Sequence, residues 1–399
     1  MDYVLKNLPN VKSEEDFWNI ITFIHTCTFM HKRYNYHALS YGKYIQLKCK
    51  PASEQYRVFS IKKKSGKKRV IHAPNGILHE VQQCLNQILQ MYYKPIKCVA
   101  GFVPKRSVIY GAEQHTRKKY VYNIDLKDFF DYIDIRRVKK ALKELFEWNN
   151  DDFFMPYYFA KLCCCDKIVT RIDVNGKKNH IRACVLPQGA PTSPMLTNIV
   201  CQDMDKQLQE LAAKHFATFT RYADDITFSC DTNIFNPNSE FCIALRRIVQ
   251  RDNRFVINKQ KTRIQSNNHQ QEVTGIIVNQ KVNIKKHYVK QLRMWLYLWE
   301  HYGYDQAQKF FISDYLKDKG HVKKPCAKIE NVLCGKLDYL KMVVSADSEM
   351  YKKLHSRYMA LIAPPKTSEN GSITKRAEFS YLKKACVQLE IPFIERIII

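Results

Sequence analysis

Residues 219–229 read Phe-Thr-Arg-Tyr-Ala-Asp-Asp-Ile-Thr-Phe-Ser and set two adjacent acids, Asp224 and Asp225, between flanks that alternate large or β-branched residues with polar ones. A period of two makes each flank a short strand, and the turn falls at Ala223-Asp224. The stretch is therefore predicted as a β-hairpin with acid at its tip. Adjacent carboxylates repel one another and acids are depleted in strands, a cost that a turn such as Asn-Gly avoids. A bound divalent cation removes that cost. The competing reading is an ordinary exposed acidic turn, since acidic dipeptides are common there.

Charge narrows the partner. The 399 residues carry 65 Lys and Arg against 38 Asp and Glu, a net +27. The surplus recurs from end to end, which points to a long polyanion, nucleic acid first, with a merely soluble basic protein as the alternative. At 45% hydrophobic and 12% aromatic the chain has material for two or three packed units and is not disordered. The 14 cysteines are scattered, and the cluster Cys163-Cys164-Cys165 lacks C-x-x-C spacing, so they read as reduced and mostly buried. Asp2, Glu14, Glu15 and Asp16 near the start, and Asn19 and His25 within the apolar run 17–29, fit neither a signal peptide nor a membrane span. A cytoplasmic protein is expected.

Ser13 followed by Asp16 is a capping-box signature, and Phe17, Ile20, Ile21, Ile24 and Phe29 mark one face of a helix over 14–29. Tyr34, Tyr36, Tyr41 and Tyr44, set among Lys and His, are either a base-stacking surface or half-buried packing. Val58, Phe59 and Ile61, then Val70 and Ile71, predict a basic hairpin bending at Ser65-Gly66. Its crowded lysines and Arg69 repel unless phosphates neutralise them; a solvated loop is the other reading. Leu78, Val81, Leu85, Ile88, Leu89 and Tyr92 predict a helix ending near Pro95. The run 120–131 predicts an apolar strand ending at Asp125, followed by Phe129-Phe130 and a helix through Val138, Leu142 and Phe146.

Residues 150–166 show no clear period. Ile168 to Val185 is predicted as a hairpin with its turn at Asn175-Gly176. It leads to the loop Leu186-Pro-Gln-Gly-Ala-Pro-Thr-Ser-Pro194 and a helix through Leu196, Ile199, Met204, Leu208 and Leu211. After the acidic hairpin come a short basic helix over 241–250, a strand ending at Ile264, and a strand from Val273 to Val278. The rest predicts an all-helical region broken at Gly303 and stopped by Pro364-Pro365. A linker over 366–372, a further helix and the apolar tail 391–399 follow, the tail docked on this chain or a partner.

Asp125 and the Asp224-Asp225 pair lie far apart in sequence, yet both end strands. If those strands are neighbours, three carboxylates converge, an arrangement suited to two divalent cations roughly 3.5 to 4 Å apart. Oxygen donors suit Mg²⁺, which is held by one or two carboxylates plus substrate phosphates.

Tyr222-Ala-Asp-Asp225, Asp125 before Phe129-Phe130, and the loop 186–194 stand in the order of the reverse transcriptase palm, which the chain resembles over roughly residues 55 to 280. The hairpin Ile61 to Arg69 looks like the fingers segment that grips the triphosphate, and Asn258-Lys-Gln-Lys-Thr262 like the motif with a lysine near the leaving pyrophosphate. Val273-Thr274-Gly275 is similar to the tripeptide typical of bacterial retron enzymes. Those enzymes also carry Asn-Ala-x-x-His, where this chain has Gly111-Ala112-Glu113-Gln114-His115.

The resemblance implies an α+β right-hand polymerase with fingers, a palm built on an antiparallel sheet and the catalytic hairpin, and a helical thumb. The expected divisions are 1–118 for the N-terminal helix and fingers, 119–149 and 191–280 for the palm, 150–190 for an insertion, 281–365 for the thumb and 366–399 for the tail. It implies Asp125, Asp224 and Asp225 as catalytic residues and ligands of two Mg²⁺ ions. Lys64, Arg69, Phe130, Gln188, Gly189 and Lys261 would bind nucleotide, with Phe130 as steric gate against ribonucleotides and Lys259 competing with Lys261 as acid for pyrophosphate. Val273, Thr274, Gly275 and His115 would bind RNA. The implied partners are a cognate structured noncoding RNA that is template and primer, its branched RNA-linked DNA product, deoxynucleotides and an effector protein encoded nearby, in phage defence. Two further readings are a group II intron-like or abortive-infection reverse transcriptase, and a noncatalytic RNA-binding protein on a polymerase scaffold. Against the intron version, the segment after the palm is too short for an added maturase and endonuclease region and no Cys/His nuclease cluster appears; against the noncatalytic one, all three acids are present.

Overall fold

A computed structural model describes residues 2–29, 52–62, 66, 68–148, 154–172, 177–319 and 327–363. In chain order its strands are β1 (Tyr56–Lys62), β2 (Lys68–Pro74), β3 (Tyr120–Lys127), β4 (Cys165–Ile172), β5 (Lys178–Val185), β6 (Thr218–Tyr222) and β7 (Asp225–Cys230). The short strands β8 (Val256–Ile257), β9 (Arg263–Ser266), β10 (Glu272–Val273) and β11 (Ile276–Ile277) follow. The strand β3 is the centre of an antiparallel sheet: it pairs with β7 on one edge and with β8 and β9 on the other, and β6 lies outside β7. A central strand is buried on both edges and packed on its face, which is why Val121, Ile124 and Leu126 are all at most 1% exposed.

Helices cover the sheet. Ile226 and Phe228 of β7 and Ile124 of β3 share one core with Leu85 and Leu89 of the helix Gly76–Tyr92, Leu142 of Ile135–Leu145, Leu196 of Ser193–Val200 and Leu208 of Gln202–Lys214. Each fully buried side chain of this kind stabilises the fold by about 1.5–3 kcal/mol relative to exposure. The helix Glu14–Phe29 starts with the expected reciprocal cap, in which Asp16 N donates to Ser13 Oγ at 3.1 Å and Ser13 N to Asp16 Oδ2 at 3.0 Å.

Several local expectations change. The helix expected through Leu196 to Leu211 is two, Ser193–Val200 and Gln202–Lys214, joined at Cys201 where ψ is 2°. The open stretch 150–166 contains a helix, Phe154–Cys163. Val273 to Val278 is not one strand. Thr274 (φ 47°) and Gly275 (φ 90°) turn the chain back so that β10 pairs with β11, and positive φ at both central residues matches the right-handed twist of the flanking strands. The tyrosines 34–44, the turns at Ser65 and Asn175-Gly176, and the linker and tail after 363 lie outside the described residues.

The chain divides into two compact units, with the second beginning at Lys286. That unit comprises the helix Lys286–Lys319, interrupted at Gly303 (φ 74°, ψ 171°), and the helices Ile329–Val344 and Glu349–Ile362. Its buried residues include Leu292, Trp295, Phe311, Leu333, Leu337 and Leu354, with the Trp295 and Phe311 rings edge to face at 4.9 Å. Among the described residues no helix is long and apolar enough to cross a membrane. The first unit, with helices packed on an antiparallel sheet, has the expected α+β organisation.

Candidate active site

The β6–β7 pairing ends at Tyr222↔Asp225, leaving a two-residue loop of Ala223 and Asp224. Ala223 takes φ 55°, the left-handed conformation such a tight loop demands of its first residue. On the neighbouring strand the register sets Asp125 directly opposite Asp225. Leu126 N donates to Asp224 O at 3.0 Å, so the end of β3 also fastens the tip. Three carboxylates separated in sequence therefore meet at one corner of the sheet.

Their electrostatics follow from that crowding. Withdrawal of water by the surrounding protein, then repulsion from Asp224 and Asp125, raises the Asp225 carboxyl to about 7, although the residue itself is open to solvent. Asp224 is also raised, by burial first and by Asp125 as well, while Lys261 and Arg69 oppose the shift. Asp125 is buried and fully engaged: Lys261 Nζ donates to Oδ1 at 2.7 Å and Asn258 Nδ2 to Oδ2 at 2.8 Å. Asn258 N also donates to Asp125 O at 2.8 Å, and the 258–262 turn closes with Lys261 N and Thr262 N donating to Asn258 O. This turn interrupts the stretch between Phe255 and Ile264 and points Lys261 at the acids, while Lys259 stays exposed.

The donor set fits a hard divalent cation, since it consists of carboxylate oxygens whose mutual repulsion a cation would relieve. Among the described residues no three potential ligands already stand grouped for coordination. The ammonium of Lys261 supplies positive charge beside Asp125, at 2.7 Å from Oδ1. Its side chain is 65% exposed.

The neighbouring elements bring up most of the expected nucleotide residues. His72 N on β2 donates to Gln188 O at 2.8 Å, joining the basic hairpin to the loop 186–194. At Gly189 (φ 115°) an added Cβ would lie 2.6 Å from Ile71 Cγ2, so this close approach requires glycine. Arg69 is exposed on β2, near enough to lower the Asp224 carboxyl through its charge. Phe130 is half-buried in the short 3-10 turn Phe129–Tyr132 just after β3, its ring edge-on to Phe129 at 5.7 Å. Lys167 Nζ holds Asp131 at 2.5 Å beside it. Lys64 lies outside the described residues.

The RNA-binding expectation for His115 is corrected by its burial. The ring is 0% exposed, bonded through Nδ1 to Ser229 Oγ and through Nε2 to Thr220 Oγ1, each at 2.7 Å, behind the acid hairpin. It joins the helix Val108–Glu113 to β6 and β7, and a side chain sealed there touches no RNA. The same holds for the side chain of Val273, 1% exposed, whereas Thr274 and Gly275 form the half-buried turn of the β10–β11 hairpin, with open space over Gly275. At Gly111 a Cβ would stand 3.0 Å from that of Ala100, so the helix approaches the 98–103 loop too closely for a larger side chain without a shift.

Asn258, Arg221, Asp205 and Gly101 carry contacts that the sequence reading did not assign. Arg221 and Asp205 form an ion pair at 2.6 Å with both side chains 0% exposed. One signal was available: Asp205 lies on the apolar face of its helix, four residues after Cys201 and three before Leu208. An acid there must find a buried cation.

Residues 61–278, more than half of the chain, match the family described as reverse transcriptase (RNA-dependent DNA polymerase). The chain is similar to the retron Mx65 reverse transcriptase of Myxococcus xanthus, with 33% identity over 251 residues covering 61% of this chain and 55% of that one. It is also similar to the retron Ec86 reverse transcriptase of Escherichia coli, with 26% identity over 331 residues covering 78% and 82%. The chain thus spans about half the length of the Mx65 protein. Among solved structures, telomerase from Candida albicans in complex with a fragment of telomeric RNA aligns with a TM-score of 0.41 at 14% identity, covering 80% of this chain and 67% of that one. A likeness that loose says nothing about function.

Proposed function

The chain belongs to the reverse transcriptase family, and from that premise we propose that it is an RNA-directed DNA polymerase of retron type. The observation that carries the reading is the register Asp125↔Asp225 with Asp224 in the adjoining loop, which assembles three acids beside a lysine. Divalent cations, Mg²⁺ in this reading, would activate the attacking hydroxyl and neutralise the triphosphate when held by those oxygens. Asp125 and Asp224 are the principal ligands and Asp225 the third acid. Lys261 holds Asp125 in the absence of substrate and is the acid for the departing pyrophosphate. Arg69 offers a planar fork to phosphate and Lys64 a point charge. Gly189 lets backbone approach the base pair, Gln188 lines it, and the Phe130 ring occupies the space that a ribose 2′-hydroxyl would need.

The first unit supplies fingers and palm and the helices after Lys286 the thumb. The similarity to retron reverse transcriptases supports a cognate structured noncoding RNA as template and primer, extended from a guanosine 2′-hydroxyl into a branched RNA-linked DNA, in an anti-phage system with an effector protein encoded nearby. The net charge of +27 suits an RNA–DNA track bound through its backbone. The β10–β11 turn at Thr274-Gly275 and the helical unit are the RNA-recognition surfaces in this reading.

The test is extension by the purified protein on an RNA template with Mg²⁺ and deoxynucleotides, beside sequencing of the nucleic acid that co-purifies. Wild type should incorporate deoxynucleotides and Asp224→Asn should not, because removing a direct ligand should exceed the roughly 10–100-fold loss typical of outer partners. Equal incorporation by the two proteins would sink the assignment.

A further inference from the structure

The buried ion pair behind the hairpin has no part in nucleotidyl transfer as described above, yet it is built with unusual completeness. Arg221, on β6, donates from Nε to Asp205 Oδ1 and from Nη2 to Asp205 Oδ2, both at 2.6 Å, and neither side chain is exposed. Its remaining terminal nitrogen, Nη1, donates to Ala223 O at 3.1 Å. That carbonyl belongs to the peptide unit entering Asp224. The peptide unit leaving Asp224 is held by Leu126 N at 3.0 Å. Both peptide planes that orient the Asp224 Cα are thus tied, one through Arg221 to a helix and the other to the central strand.

A second contact presses on the same turn. Arg221 N donates to Cys98 O at 2.9 Å and Ala100 N to Arg221 O at 2.8 Å, drawing the 98–101 segment along the outer edge of β6. A Cβ on Gly101 would lie 2.9 Å from Ala223 N, and Asn198 Nδ2 holds Gly101 O at 2.9 Å from the other side. Ala223 sits at φ 55°, a conformation that is unfavourable for a non-glycine residue and persists only where the surroundings enforce it.

We infer that Arg221, fixed by Asp205, is a positioning residue that holds the Ala223-Asp224 turn in the conformation that receives a divalent cation. This rests on the metal role of Asp224 proposed above. A buried ion pair is weak as a stabilising device, because desolvation offsets much of its attraction and an apolar pair of similar volume does as well or better. A planar guanidinium can grip a carboxylate with two nitrogens and still present a third N–H to a carbonyl; an ammonium at the end of a flexible stem cannot reproduce that fork. The choice of arginine is accounted for by the bond to Ala223 O rather than by the pairing alone.

Arg221→Lys keeps the buried charge and removes the fork, and is to be compared with wild type in the full chain by three measurements: melting, Mn²⁺ binding by paramagnetic resonance without nucleotide, and amide exchange at Leu126. We expect a folded variant whose Mn²⁺ dissociation constant rises about 10- to 100-fold, the usual effect of losing a partner that orients a ligand. Exchange at Leu126 N–H should speed up roughly tenfold as the tip loosens, about what one lost hydrogen bond gives, with the amides of β3 nearer Tyr120 unaffected. A folded Arg221→Lys with wild-type exchange at Leu126 overturns the positioning role. A loosened tip with unchanged Mn²⁺ affinity overturns its link to the cation. No Mn²⁺ binding by wild type would instead remove the metal reading, and the exchange result would still decide the positioning. If Arg221→Lys does not fold, Arg221→Met with Asp205→Leu gives the same readouts in an apolar setting, and failure of that variant to fold as well assigns the pair to folding alone.

Discussion

Nζ of Lys261 lies 2.7 Å from Oδ1 of Asp125, while Nδ2 of Asn258 bonds the other oxygen of the same carboxylate at 2.8 Å. The acid at the end of the central strand is therefore neutralised by the chain's own cation. Burial by itself would lower the Lys261 ammonium, but the hydrogen bond and charge of Asp125, with Asp224 and Asp225 behind, more than offset this and raise it. The lysine is held protonated beside Asp125, which suits its proposed role of restraining the acids before substrate arrives and donating a proton afterwards.

Lys261→Ala should slow single-turnover nucleotide incorporation by about 10²–10⁴-fold, the usual range for losing a general acid. Lys259→Ala, altering an exposed neighbour, should leave the rate within about twofold, as surface changes away from a site usually do. A larger loss at Lys259 than at Lys261 would reverse the assignment.

Phe130→Ala should admit ribonucleotides. The ring is held in the turn Phe129–Tyr132, which Lys167 pins through Asp131, so its removal opens space without freeing the backbone. The preference for deoxy- over ribonucleotides, measured as a ratio of kcat/KM values, should fall by about 10–200-fold, the range one pocket contact supplies. Unchanged sugar preference would exclude this ring as the gate.

Gly189→Ala should injure stability and nucleotide binding together. The new methyl group would meet Ile71 Cγ2 at 2.6 Å and the backbone would be left at φ 115°. A loss of at least ~1 kcal/mol in denaturant unfolding is expected for alanine at positive φ. Displacement of β2, which carries Arg69, should also raise the KM for deoxynucleotides. An alanine variant with wild-type stability would mean that the loop and β2 do not pack this closely.

His115 should make the protein acid-sensitive. Burial, and secondarily the charge of Lys118, lowers its pKa from 6.5 to about 3. Between those values the unfolded chain binds a proton that the folded chain refuses, so this contribution is fully present above pH 6.5 and is lost as pH falls towards 3. The slope is about 1.4 kcal/mol per pH unit per proton. Urea unfolding between pH 7.5 and 5 should show His115→Gln losing stability less steeply than wild type, whatever its absolute stability. Parallel slopes would mean that the histidine titrates normally in the folded protein.

Local pattern accounts for much that was legible beforehand. The acid-tipped hairpin, the helix of Leu78 to Tyr92, the cap at Ser13 and the strand ending at Asp125 all follow from periods of two or about 3.6 and from turn chemistry, which act over neighbouring residues. The break at Cys201 was hidden because both helices it joins bury apolar residues, so the pattern runs through it. The turn at Thr274 was hidden because threonine seldom takes positive φ, and only the adjacent glycine hinted at it.

The sequence by itself determined which side chains were available for chemistry and which short segments would be strands, helices and turns, because periodicity and residue type act locally. The tertiary structure alone decided that Asp125 faces Asp225, that Lys261 and not Lys259 reaches the acids, that His115 is sealed behind the hairpin, and that Arg221 finds Asp205. Each of these depends on register between segments far apart in the chain, where a shift of one residue turns a side chain to the opposite face. Register is set by the summed burial of every face that packs against the sheet, a quantity that no single stretch of sequence contains.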